Sequence, residues 1–196
     1  MFDIVDQFEK AVADYFGAPY AVSTDCCTHA VELCLRYLNV KTATSPNHTY
    51  LSIPMTMQKL GLDWHFVDAQ WTEYYEIGHN IIDAATMWRP NSYIPGKYMC
   101  LSFQYRKHLS LGRGGMILCD NKHDRDNLIK LGYDGRHRNC SWMEQNIDTL
   151  GYHYYMTPET AQLGLDKLQT AIDTTPKIWN WRDYPDISSI KERISK

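Results

Sequence analysis

The sequence predicts an α/β fold, with a mainly parallel central sheet and helices on both faces. Two observations carry that expectation. Apolar residues fall four apart at Ile4, Phe8, Val12 and Phe16, which marks one face of a helix. Beyond them, short apolar runs alternate with helical stretches through the first two-thirds of the chain. That is the pattern of strand–helix–strand units.

The elements follow in order. The first helix, Ile4 to Phe16, is stopped by Gly17-Ala18-Pro19. Tyr20 to Ser23 is a short strand. A polar turn, Thr24 to Thr28, leads to a second helix from His29 to Leu38. Thr42 to Thr44 enters a strand end and loop, Ser45 to Tyr50. A third helix runs from about Leu51 to Leu60 and halts at Gly61. Strands follow at Leu62–Val67, Asn80–Asp83, Tyr98–Phe103 and Gly115–Cys119, while 68–78 is aromatic and polar without a period. Asp124 to Leu131 reads as a helix and Gly132 to Thr149 as loop. A last helix is capped by Thr157, has Pro158 at its first position and reaches about Ile172.

The chain's 196 residues suffice for one domain with a substantial core. Apolar residues make up 44% and the net charge is −3, so no basic face is implied and nucleic acid is not expected as a partner. No apolar run approaches the ~18–20 residues of a membrane span, and acid stands near the N-terminus where a secretory signal carries base. The six cysteines sit mostly in apolar runs, as buried thiols of a reduced cytoplasmic protein would. Cys26, Cys27 and His29 match no zinc spacing, so no metal is expected.

Three local features carry chemistry. The turn at Cys26-Cys27-Thr28 joins a strand to a helix N-terminus, a ready anion seat; an ordinary helix cap is the alternative. Asp83 ends a buried strand, where open α/β sheets bind ligands; a turn aspartate is the alternative. Lys107 follows another buried strand, where desolvation and a neighbouring cation make an amine nucleophilic; a solvated surface lysine is the alternative.

Taken in order over residues 5–172, these pieces resemble the DegT-type family of nucleotide-sugar aminotransferases that use pyridoxal 5′-phosphate (PLP). The carrying motifs are Cys26-Cys27-Thr28-His29-Ala30, Pro46-Asn47-His48-Thr49-Tyr50, Phe66-Val67-Asp68 and Asp83-Ala84-Ala85. Ser102-Phe103 to Lys107 with Gly114-Gly115-Met116, and Gly151-Tyr152-His153-Tyr154-Tyr155-Met156, complete them. The resemblance implies a truncated large domain of a PLP-dependent transferase over 1–175. Residues 176–196 would be a tail left from the small domain.

It also implies roles. Lys107 would form the Schiff base and move protons. Asp83 would keep the pyridine nitrogen protonated, which makes the ring an electron sink. Cys27, Thr28 and Ser102 would hold the phosphate, and Tyr50 would stack on the ring. Thr86 stands where the family has Gln near the ring hydroxyl. His153 replaces an Asn that reaches the neighbouring subunit's phosphate, which implies a homodimer with shared sites. The implied reaction moves an amino group from glutamate, or a similar donor, to a nucleotide-linked keto sugar. Lys107 argues against the family's sugar dehydratases, in which this lysine is replaced.

Three departures qualify the resemblance. Only Ala69 to Ile82 separates Asp68 from Asp83, where the family has a much longer stretch. Little follows the last aligned helix. His153 and Tyr155 replace the family's Asn and Arg. A non-catalytic scaffold that kept the fold after domain loss is therefore the second expectation.

Overall fold

The computed structural model describes residues 2–194. Helix α1 (Asp3–Phe16) buries Val5, Phe8, Val12 and Phe16. Gly17 ends it at φ 74°, a left-handed position that suits a residue without Cβ. Strand β1 (Tyr20–Thr24) leads to α2 (Cys27–Tyr37), which begins two residues earlier than the sequence implied. Then come β2 (Thr42–Pro46), α3 (Ser52–Lys59) and β3 (Asp63–Val67). The aperiodic segment contains a strand that the sequence did not announce, β4 (Tyr75–Gly78). It pairs with β5 (Ile81–Asp83) through a two-residue turn, His79-Asn80, both at positive φ. Hairpin turns of that hand usually carry Asn-Gly, so His-Asn hid it. Strands β6 (Tyr98–Ser102) and β7 (Gly115–Cys119) precede α4 (Lys122–Gly132) and α5 (Pro158–Asp173). The chain continues through short 3₁₀ turns to α6 (Lys191–Ile194).

The α/β class holds, with helices on both faces of a central sheet. The strand directions differ from expectation. The main sheet has the order β1-β7-β6-β5-β4 and is mixed: only β5 and β6 run parallel, and the other three pairings are antiparallel. The reason lies in the connections. β6 returns to β7 through an irregular loop, and β4 turns straight into β5, so neither pair has the crossover that parallel neighbours need. β2 and β3 form a separate parallel pair, tied to β4 where the Thr44 hydroxyl donates to the Ile77 carbonyl at 3.4 Å.

The central strands are buried on both faces, and period two splits their side chains. Met99, Leu101, Met116 and Leu118 meet α1 and α5; Cys100 and Ile117 meet α2 and α4. On the first face α5 comes close to α1 at Gly164, where a Cβ would lie 2.5 Å from the Phe8 ring. Gly164→Ala is therefore expected to destabilise. Overpacking against buried Phe8 costs about 1–3 kcal/mol, more than the ~1 kcal/mol that alanine gains in a helix. Urea unfolding measures the sign, and a stabilised variant would contradict this packing.

Candidate active site

The β1–α2 turn, the ends of β5 and β6, and the β6–β7 loop converge on one cavity of about 710 Å³. That size suits a cofactor or small substrate. The start of α3, the segment around Trp71–Tyr75 and the tail around 179–187 complete its walls.

The β1–α2 turn, the candidate anion seat, offers backbone to the cavity. Cys26 is extended (φ −163°, ψ 159°) and no side chain caps α2. The helix thus opens with unsatisfied N–H groups, at the end where its dipole favours negative charge. The Cys27 thiol turns inward to the Cys100 carbonyl at 3.6 Å, and burial pushes its pKa up, so its backbone is what it offers the cavity. The Thr28 hydroxyl donates to Ser52 Oγ at 2.8 Å and ties α2 to α3. Gly115 of β7 lies flush against this turn: a Cβ there would sit 2.4 Å from backbone atoms of Cys26 and Cys27.

Asp83, at the end of β5, is buried against the same cavity. Its Oδ2 accepts the Tyr75 hydroxyl at 2.5 Å, and its Oδ1 accepts the Ala85 N–H at 2.9 Å. Tyr75 is also hydrogen-bonded to Thr49. Burial raises the Asp83 pKa above its ordinary value; Tyr75, the Ala85 N–H and the charge of Lys107 work against that rise.

Lys107 sits in the β6–β7 loop, its N–H donating to the Gln104 carbonyl at 2.8 Å. Its ammonium donates to the Tyr184 hydroxyl at 3.4 Å and lies 5.5 Å from the centre of the Trp179 ring. Burial, aided by Arg106, lowers its pKa, while Asp83 and Cys27 oppose the shift. Lys107 and Asp83 thus share one compartment and act on each other electrostatically.

The other expected site residues divide clearly. Tyr50, Thr86 and Ser102 line the same cavity. Tyr50 is 64% exposed at its mouth. The Thr86 hydroxyl donates to the Glu73 carbonyl at 2.6 Å, and Ser102 Oγ accepts the Gln104 N–H at 3.4 Å. His153 stands outside the cavity, exposed, with Nδ1 3.0 Å from Asp134 Oδ2.

The chain matches the DegT/DnrJ/EryC1/StrS aminotransferase family over residues 2–87 and 95–177. It belongs to that family. The uncharacterized protein MJ1066 of Methanocaldococcus jannaschii is 24% identical over 221 residues, covering 84% of this chain and 56% of that protein. AtS13 from Actinomadura melliaura superposes at a TM-score of 0.76 with 21% identity, over 87% of this chain and 60% of its own. The PLP form of Spr1654 from Streptococcus pneumoniae gives 0.71 and 18%, over 87% and 60%. The chain spans about three-fifths of the length of these relatives.

Within this DegT/DnrJ/EryC1/StrS framework, sequence reasoning missed the aromatic wall: Trp71, Tyr75, Trp179 and Tyr184, with Ile187 beside them. Two aperiodic segments rich in rings supply it, and the family match stops at residue 177, before most of the tail. Aromatic residues clustering where no period exists were the only available signal.

Just outside the seat, Asp25, Cys26 and His29 bring their ligand atoms within 4.8 Å of one another. Arg113 already occupies the second oxygen of Asp25, at 2.8 Å. His29 Nδ1 lies 2.6 Å from Asp25, and its ring stacks on Tyr154 at 3.6 Å. Burial works against the imidazolium, but Asp25 and Cys26 outweigh it and raise the pKa to about 9. Stability from this pair is therefore full below pH ~6.5 and lost as pH rises through about 9. His29→Gln is expected to cost up to about 3 kcal/mol more at pH 6 than above pH 9.5. Urea unfolding at the two pH values checks this; an equal cost at both would contradict it.

Proposed function

We propose that this chain binds PLP between Lys107 and Asp83 and transfers an amino group from glutamate, or a similar donor, to a nucleotide-linked keto sugar. One observation carries the reading: a partly desolvated lysine and a buried carboxylate face a single cavity whose floor is an uncapped helix N-terminus. The residues fit the group. The N–H groups of Cys27 and Thr28, with Ser102, would hold the phosphate. Asp83 would meet the ring nitrogen, Tyr50 would cover the ring, and Thr86 would stand near its edge.

When bound, PLP supplies the electron sink that stabilises negative charge at the substrate carbon. The protein supplies the rest. Asp83, held by Tyr75 and the Ala85 N–H, would present its carboxylate to the ring nitrogen. Lys107, lowered in basicity by burial, takes and returns the proton at the substrate carbon. The aromatic wall excludes water.

His153 would serve a neighbouring copy in a homodimer. Exposed Trp142, Met143 and Leu150 in the loop before it offer apolar surface for that contact. The buried thiols of Cys27, Cys34, Cys100 and Cys119 fit a reducing cytoplasm.

The experiment is spectroscopic. Purified protein with PLP is expected to develop a visible absorption band, and glutamate is expected to discharge it to the amino form of the cofactor. A protein that takes up no PLP contradicts the reading. The short link between Asp68 and Asp83, only Ala69 to Ile82, favours a second reading, a PLP-binding scaffold without turnover. A stable band that no amino donor discharges would select it.

A further inference from the structure

We infer that the tail segment 177–187 is a working wall of this site, and that Tyr184 is the residue that positions the Lys107 amine. The family match ends at residue 177, so the shared pattern assigns nothing to Tyr184.

The tail is fastened on both sides of Tyr184. Before it, the Trp179 carbonyl accepts the Glu73 N–H at 2.8 Å, and the Trp181 N–H donates to the Trp71 carbonyl at 3.0 Å. At Tyr184 itself, the carbonyl meets His48 Nδ1 at 2.8 Å. Beyond it, the Ile187 N–H donates to the Asn47 carbonyl at 2.9 Å. The phenol ring is braced between Trp71, at 5.4 Å, and Trp179, at 6.1 Å. So held, its hydroxyl meets Lys107 Nζ.

The consequence for the amine is physical. A lysine side chain on a flexible stem loses rotamer freedom when it is fixed for reaction. An acceptor on a rigid ring fixes it in advance and leaves the rest of the amine facing the cavity. Trp179 and Tyr184 also take water away from Nζ, and desolvation is the largest influence on this amine. Asp83, Cys27 and Arg106 are the other charged or titratable groups that act on it. Burial and the nearby Asp83 keep Tyr184 protonated well beyond neutral pH, so its hydroxyl stays a neutral partner.

The inference rests on the proposed PLP reading only for one arm of its test. In the whole chain without added cofactor, reductive methylation with formaldehyde, mapped by peptide mass, gives the rate at Lys107 from pH 6 to 10. Tyr184→Ala opens the wall and is expected to move the Lys107 midpoint to higher pH. Tyr184→Phe keeps the ring and is expected to leave that midpoint in place. In the second arm, followed by the visible band, Tyr184→Phe is expected to take up PLP about tenfold more slowly than wild type, because the amine is no longer held.

Wild-type uptake by Tyr184→Phe, or an unmoved midpoint in a folded Tyr184→Ala, would overturn the inference. If wild type itself takes up no PLP, the functional reading fails, while the methylation midpoints still decide whether the tail controls Lys107.

Discussion

Asp83→Asn is expected to slow the glutamate half-reaction by at least about a hundredfold while PLP still binds. The carboxylate is buried, and a fixed charge opposite a developing one is worth far more there than in water. Asparagine has the same shape: its carbonyl oxygen keeps the Ala85 N–H, and its amide N–H donates to the Tyr75 hydroxyl, whose own proton turns to Thr49. What disappears is the negative charge that would keep the ring nitrogen protonated. The Lys107 amine and the helix N-terminus remain, so the visible band survives. Single-turnover discharge of the band by glutamate measures the effect. A change within a few-fold would mean that Asp83 is a structural carboxylate.

The second large effect is at Gly115. An alanine there places its Cβ 2.4 Å from backbone atoms of Cys26 and Cys27, which no rotamer change can relieve. Either β7 or the start of α2 must move. Gly115→Ala is therefore expected to lose about 2–3 kcal/mol of stability and to weaken PLP binding in whatever remains folded. Urea unfolding gives the first number, and a PLP titration of the folded variant gives the second. A loss of stability with unchanged affinity would show that the α2 N-terminus is not the phosphate seat.

Much of this site was legible in the sequence because its pieces are local. A strand followed by a small polar turn and a helix marked Cys27-Thr28, and the buried runs ending in Asp83 and leading to Lys107 marked two more groups; all four line the one cavity. What joins distant segments was not legible. Strand directions depend on the loop after β6 and the hairpin at His79-Asn80, which give no periodic signal. Tyr75 reads as one tyrosine among several until β4 brings it to Asp83. The tail has neither strand alternation nor a helical stripe. Its place in the site follows from backbone hydrogen bonds to Asn47, Trp71 and Glu73 and from the His48 ring on the Tyr184 carbonyl, which only the folded chain reveals.

The account stands on one ring being shared by an amine at 107 and a carboxylate at 83. Borohydride reduction of the PLP-loaded protein, followed by peptide mass mapping, tests it most directly. The expected result is a phosphopyridoxyl mass on the Lys107 peptide alone, absent in Lys107→Ala. Label spread over exposed lysines such as Lys177, at equal extent in wild type and Lys107→Ala, would contradict it.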